Sequence, residues 1–251
     1  MTKIVIANWK MNPASGLQAK RLFSSVFKKT KEIKRAKIII APPFIFLPFF
    51  KKKSNLALAG QDVFWSNSGA YTGEISPAML KSLGVGYVIV GHSERREHLG
   101  ETDELINKKV KAALGAGLKA VLCVGESERS GENFHNFVRE ELKKDLKGVS
   151  RRAARNLIIA YEPIWAISGN RTVKTDKMVR PGELFEMITY IRRSLLDILG
   201  KSAAYRTPIL YGGSVGAESA AEFLGVGGLD GFLVGHASLS AEEFIRIVKA
   251  I

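Results

Sequence analysis

The sequence predicts an α/β fold of the (β/α)8 barrel type. Three observations predict it: eight short β-branched or aliphatic runs, amphipathic stretches of helical period between them, and a length of 251 residues, against about 250 for such a barrel. No linker rich in Pro, Gly or Ser divides the chain, and neither half reads as a separate unit, so one domain over 1–251 is expected. An open doubly wound sheet shares the alternation and stands as the structural alternative.

Ile4–Ala7 opens the series as a continuous apolar run, which suits a strand buried on both faces. The amphipathic stretch Gly16–Ile33 follows, then the run Lys37–Ala41. The helical counterpart expected next, around Phe44–Phe50, is interrupted by Pro48 and carries the weakest period. Leu56–Gly60 and the short helical segment Pro77–Leu83 form the third pair, and Tyr87–Val90 with Asp103–Leu114 the fourth. Ala120–Val124 pairs with Phe134–Leu146, and Leu157–Tyr161 with Gly182–Leu199. Ile209–Tyr211 with Ala217–Phe223, and Gly231–Val234 with Ala241–Val248, complete the eight.

Composition excludes several classes. A hydrophobic fraction of 46% and a charged fraction of 25% are those of a folded globular chain, not a disordered one. A single Cys forms no internal disulfide, which removes stapled secreted scaffolds. The longest apolar run, Ile38–Phe50, contains Pro42, Pro43 and Pro48 and is too short for a bilayer span. No cleavable leader is legible at the N-terminus, so a cytoplasmic location is expected. The 38 Lys and Arg against 24 Asp and Glu give a net charge of +14, spread over short clusters such as Lys51-Lys52-Lys53 and Arg151-Arg152 rather than one stripe. Most fall on polar helix faces. Nucleic-acid binding, attraction of small anions and plain surface solvation all remain compatible with that charge.

Barrel sites form from the segments just after the strands, and there the chain turns polar. Asn8-Trp9-Lys10 follows the first run, Gly91-His92-Ser93-Glu94 the fourth, Glu162-Pro163 the sixth, Gly212-Gly213-Ser214 the seventh and Gly235-His236 the eighth. Glu162 is a candidate general base, and Asn8 and Lys10, two apart on an extended strand end, are expected to share a face. Each alone is more often structural; Asn8, Lys10, His92 and Glu162 together, on three strand ends of one barrel, point to a site. The glycine turns after the last two strands suit a backbone phosphate nest. Gly115-Ala116-Gly117-Leu118-Lys119-Ala120 precedes a strand instead of following one and is no dinucleotide motif. The histidines at 92, 98, 135 and 236 lack metal-ligand spacing, and Cys123 is expected to be a buried packing residue, so neither cofactor nor metal is expected. A base, a His donor, a lysine and a phosphate nest together suggest proton abstraction next to a carbonyl of a phosphorylated substrate.

The chain resembles the triosephosphate isomerase family over its whole length. The resemblance rests on Ala7-Asn8-Trp9-Lys10-Met11-Asn12, Gly69-Ala70-Tyr71-Thr72-Gly73-Glu74, Val90-Gly91-His92-Ser93-Glu94-Arg95-Arg96, Cys123-Val124-Gly125-Glu126, Ala160-Tyr161-Glu162-Pro163-Ile164-Trp165-Ala166-Ile167 and Tyr211-Gly212-Gly213-Ser214-Val215. It implies the TIM barrel and the interconversion of dihydroxyacetone phosphate and glyceraldehyde 3-phosphate in glycolysis and gluconeogenesis. It also implies Glu162 as base, His92 as electrophile, Lys10 as charge-neutralising residue and Asn8 as a positioning one, with Glu94 supporting Lys10. The segment from Pro163 onward would be a lid held closed by Tyr211 and Ser214. The loop Ser66–Ser76 would bring Thr72 to the neighbouring site of a homodimer.

Two turns depart from the family pattern. Its lid tip Ile-Gly-Thr-Gly-Lys is here Ile167-Ser168-Gly169-Asn170-Arg171, where Ser168 retains the backbone donor expected to meet phosphate. Its phosphate turn Val-Gly-Gly-Ala-Ser is here Val234-Gly235-His236-Ala237-Ser238. A positive φ at His236 would cost on the order of 1 kcal/mol. His236 is expected beside the phosphate and favoured as imidazolium when substrate is bound. Another phosphosugar barrel would share the phosphate nest without the combined Asn8, Lys10, His92 and Glu162. A basic barrel that binds nucleic acid is the reading from a different class, and no nucleic-acid motif accompanies it.

Overall fold

Eight parallel strands close on themselves in chain order, β1 (Lys3–Asn8), β2 (Ala36–Ala41), β3 (Leu56–Gly60), β4 (Tyr87–Val90), β5 (Lys119–Val124), β6 (Leu157–Tyr161), β7 (Ile209–Tyr211) and β8 (Gly231–Val234), with β8 pairing back onto β1. This is a computed structural model, and it describes residues 2–31, 33–51, 56–129, 134–166 and 179–251. Closure removes both sheet edges, which decides against the open doubly wound alternative.

The strands read as unbroken apolar runs because each buries both faces. Ile6, Ile39, Ile89, Val121, Cys123, Ile158, Ala160, Leu210 and Leu233 fill the barrel interior. Their neighbours Val5, Ile38, Ile40, Val88, Val90, Leu122 and Ile159 face the helices instead. Each fully buried Ile or Leu contributes about 1.5–3 kcal/mol relative to exposure, so both faces hold the barrel shut. Cys123 is buried as a packing residue on β5.

The outer layer comprises α1 (Gly16–Thr30), α2 (Pro77–Ser82), α3 (Ser93–Leu99), α4 (Asp103–Gly115), α5 (Phe134–Asp145), α6 (Pro181–Leu199), α7 (Lys201–Arg206), α8 (Ala217–Leu224) and α9 (Ala241–Lys249). Caps set several starts: Ser15, Ser76, Thr102 and Ser240 each accept a backbone N–H three residues on. The first helix ends at Thr30, three residues before the expected Ile33, where the Thr30 hydroxyl bonds back to the Val26 carbonyl. Phe44–Phe49 forms a short 3-10 turn, since Pro48 lacks the N–H an α-helix needs there. Two helices carry too little apolar period to be legible. In α3 only Leu99 is aliphatic, and α7 reads Lys-Ser-Ala-Ala-Tyr-Arg.

Candidate active site

A cavity of about 740 Å3 opens at the C-terminal ends of the strands, lined among others by Asn8, Lys10, His92, Gly212, Gly213, Ser214, Gly235 and His236. Strand parity explains the convergence. Asn8 continues the inward set of Ile6, and Glu162 continues that of Ile158 and Ala160, so the first polar residue past each apolar layer points to the mouth.

Lys10 arrives by a different route from the expected extended strand end. Its φ is +52°, and it is the only non-glycine residue with a left-handed backbone among those described. Such a conformation costs on the order of 1 kcal/mol or more and persists where surroundings over-determine it. The Asn8 Oδ1 accepts the Lys10 N–H at 3.0 Å, and Gln61 Nε2 donates to the carbonyls of Lys10 at 2.9 Å and Ala41 at 2.8 Å. Gln61 was not singled out by sequence; its only signal is a polar residue directly after β3. His236 does not take a positive φ, so the strain such a backbone would carry does not arise. Gly235 precedes it with φ −87°, and a Cβ there would sit 3.3 Å from Lys10 Cε.

The Lys10 ammonium meets Glu94 Oε1 at 2.6 Å. Burial works to raise the Glu94 carboxyl, but the hydrogen bond from Lys10, with the charge of its ammonium, pulls the other way, and the carboxyl is held below its ordinary range. His92 caps α3: its Nδ1 accepts the Glu94 N–H at 3.3 Å. An accepting Nδ1 leaves the ring proton on Nε2, which lies 3.3 Å from Glu162 Oε1. The neutral imidazole therefore presents an N–H donor beside the carboxylate.

Glu162 is only 1% exposed and sits beneath the cavity rather than on its wall. Its Oε2 accepts the Ser93 N–H at 3.0 Å, at the start of α3, while Oε1 has no hydrogen bond of good geometry. Reaching a substrate in the cavity requires the side chain to turn. Gly212 leaves room beside it, since a Cβ there would stand 2.9 Å from Glu162 Cγ. Gly125 is tighter still: its Cβ would lie 1.8 Å from the Glu162 carbonyl oxygen, so no other residue fits.

Glu126 is a second residue that sequence reading left without a role. Its Oε1 accepts from the Tyr161 hydroxyl and Trp165 Nε1, both at 2.8 Å, and from Arg129 Nε at 3.0 Å. These bonds anchor the segment that leaves Glu162. Ser214 Oγ donates to the Ala166 carbonyl at 3.3 Å, whereas Tyr211 is buried with its hydroxyl against Gly213. Thr72 is exposed. Ser168 and the tip Ile167–Arg171 lie outside the described residues.

The arrangement offers a carboxylate, a neutral imidazole N–H, a lysine paired to a carboxylate and glycine turns, all at one strand-end mouth. A model of the family described as triosephosphate isomerase matches residues 3–251. Proteins named triosephosphate isomerase include one from Thermoanaerobacter pseudethanolicus, 43% identical over 98% of both chains. One from Dehalococcoides mccartyi strain CBDB1 is 45% identical over 99% of this chain and 96% of its own. One from Carboxydothermus hydrogenoformans is 41% identical over 98% and 97%. With the closed eight-stranded barrel and a match across nearly its full length, this chain belongs to the triosephosphate isomerase family and is an isomerase.

Proposed function

We propose that this isomerase, a single domain over 1–251, interconverts dihydroxyacetone phosphate and glyceraldehyde 3-phosphate in glycolysis and gluconeogenesis, and that Glu162 is the base that moves the proton. The observation that carries the assignment is the Glu162 carboxylate 3.3 Å from His92 Nε2 beneath the shared cavity. The carboxylate removes the carbon-bound proton next to the carbonyl. The His92 N–H and the Lys10 ammonium stabilise the negative oxygen that develops in the enediolate. Asn8 shapes the turn that places Lys10, and Glu94 holds its ammonium. The phosphate sits against the turns at Gly213-Ser214 and Gly235-His236, with Ser168 as a further phosphate-binding residue and Tyr211 and Ser214 supporting the segment that leaves Glu162. A coupled assay with glyceraldehyde 3-phosphate tests the activity: turnover is expected, and its absence would refute the reading.

His236 tunes phosphate binding in this reading. A histidine there adds a side-chain N–H donor beside the phosphate, so KM should be higher in His236→Gly than in the wild type. Equal KM values for the two proteins would remove that role.

The protein acts as a cytoplasmic homodimer. Met11 is 94% exposed, Ile45 73% and Tyr71 48%, and these residues follow β1, β2 and β3, three neighbouring strands of the closed barrel. One apolar side of the mouth is thus left for a second copy, which would bring its own Thr72 to this site. Sedimentation equilibrium at micromolar concentration should give twice the chain mass; a monomer would overturn the dimer. The cytoplasmic assignment is supported by the lone buried thiol of Cys123. The charge of +14 suits steering of anionic triose phosphates toward the mouth.

A further inference from the structure

Two buried ion clusters lie outside the cavity, and they differ in balance. In the first, Arg95 and Lys109 face Asp62 and Glu101, two cations against two carboxylates. In the second, one guanidinium serves three carboxylates. Arg96 reaches Asp103 and Asp145, both at 2.7 Å, and Glu141 at 3.1 Å. One oxygen of each carboxyl lies within 4.8 Å of the others. Lys144, at 3.2 Å, offsets the charge of Asp103 from the surface, so Glu141 and Asp145 are left to share Arg96. Asp145 is fully buried and its Oδ1 has no hydrogen-bond partner.

This second cluster joins the two strand ends that carry the reacting groups. Arg96 Nε donates to the carbonyl of Gly91, the residue before His92, at 3.0 Å. Glu141 Oε2 accepts the Gly125 N–H at 2.9 Å. Gly125 is the residue pressed against the Glu162 backbone, and the Glu162 N–H in turn bonds to Val124 at 2.8 Å. Shifting Glu141 therefore shifts the backbone under Glu162 relative to that under His92.

We propose that Glu141 is a positioning residue for the isomerase reaction, and that the Arg96–Glu141–Asp145 cluster holds one proton in its working form, whose loss loosens the joint between the His92 and Glu162 strand ends. One buried cation does not compensate two buried carboxylates, so retaining a proton is the lower-energy state. Burial pushes the Glu141 carboxyl up to about 8 against the pull of Arg96, with Asp145 adding to the rise, and pushes Asp145 itself up to about 7. The groups facing the cluster are Arg96 from α3, Asp103 from α4, Lys144 from α5 and the Cys123 thiol from β5; burial foremost, then the charge of Glu162, raises that thiol too. A cavity of about 310 Å3 lined by Arg96, Asp103, Glu141 and Lys144 gives the proton a path to solvent water.

The sign of the linkage follows. The unfolded chain has released this proton by about pH 5, while the folded chain keeps it through neutrality. Over that window the unfolded state binds fewer protons, so the cluster's contribution to stability falls as pH rises. Glu141→Gln keeps a neutral acceptor for the Gly125 N–H and cannot ionise. Its melting temperature relative to wild type should therefore climb steadily from pH 5.5 to 9. The ratio of its kcat to that of wild type should rise about threefold or more from pH 7 to 9.5, as the wild-type cluster loses its proton. A kcat ratio flat over that range would overturn the positioning role, and a melting difference that stays constant or shrinks would overturn the held proton. Glu141→Leu, which removes the acceptor, should lower kcat about tenfold at pH 7 with KM within about twofold. Unchanged kcat in a folded Glu141→Leu protein would overturn the proposal; if that variant fails to fold, the Gln profile decides. The kinetic arm rests on the isomerase reading, whose own failure would show as an inactive wild type, whereas the melting arm reads the proton without it.

Discussion

Glu162→Gln should lower kcat by about three orders of magnitude, the middle of the range for loss of a positioned general base, with KM changed by less than about threefold. The fold should survive. The amide keeps the shape of the carboxylate and can still accept the Ser93 N–H that Oε2 accepts at 3.0 Å. It also sits in the space left free by Gly212. What is lost is the ability to take a proton, so the deficit should appear in turnover and not in substrate binding. Circular dichroism and a melting temperature within a few degrees of wild type would establish the intact fold. A kcat within tenfold of wild type would remove Glu162 from the role of base. Glu162→Ala should be at least as inactive, and it additionally strips the partner from the buried Ser93 N–H, so the Gln variant is the cleaner reading.

The barrel was legible because its strands bury both faces. Runs such as Ile38-Ile39-Ile40 have no polar alternation to confuse with an exposed sheet, and the layers inside and outside the barrel both demand aliphatic residues. The site residues were legible for the same reason: a polar residue that ends such a run lies one step beyond the last apolar layer. Asn8 and Glu162 obey that parity. Lys10 does not, because its left-handed turn depends on Gln61 reaching across from the end of β3, a contact 51 residues away in sequence. The helix α3 escaped notice because its seven residues hold a single aliphatic side chain, and its stability comes from outside: the His92 cap, the Glu162 carboxylate at Ser93, and the ion pairs of Arg95 and Arg96. The Arg96–Asp145 pair spans 49 residues and leaves no periodic trace. Long-range polar pairing of this kind is set by the closed fold and not by local propensity.

Lys10→Met carries the second large expected effect, a fall in kcat/KM of about two to three orders of magnitude, comparable to removing a preorganised donor from a developing oxyanion. Two consequences combine. The substitution removes the ammonium that would face the phosphate and the enediolate oxygen, and it leaves Glu94 without the partner at 2.6 Å. A carboxylate released beside an anionic substrate repels it. Glu94 is then no longer held below its ordinary range, because the Lys10 hydrogen bond is the leading influence that overcomes its burial. The sign is definite: with the lysine gone the Glu94 carboxyl rises, and its repulsion of the substrate is relieved as pH falls through the higher value. The variant should thus lose less kcat/KM at pH 5 than at pH 7.5. The double variant Lys10→Met/Glu94→Gln separates the two consequences. It should recover part of the loss at pH 7.5, with the recovery appearing in KM, while kcat stays low because no cation remains to stabilise the transition state. A double variant no better than Lys10→Met would show that the freed carboxylate does not repel substrate. A Lys10→Met protein with kcat/KM within tenfold of wild type would show that the strained turn at Lys10 serves something other than the reaction.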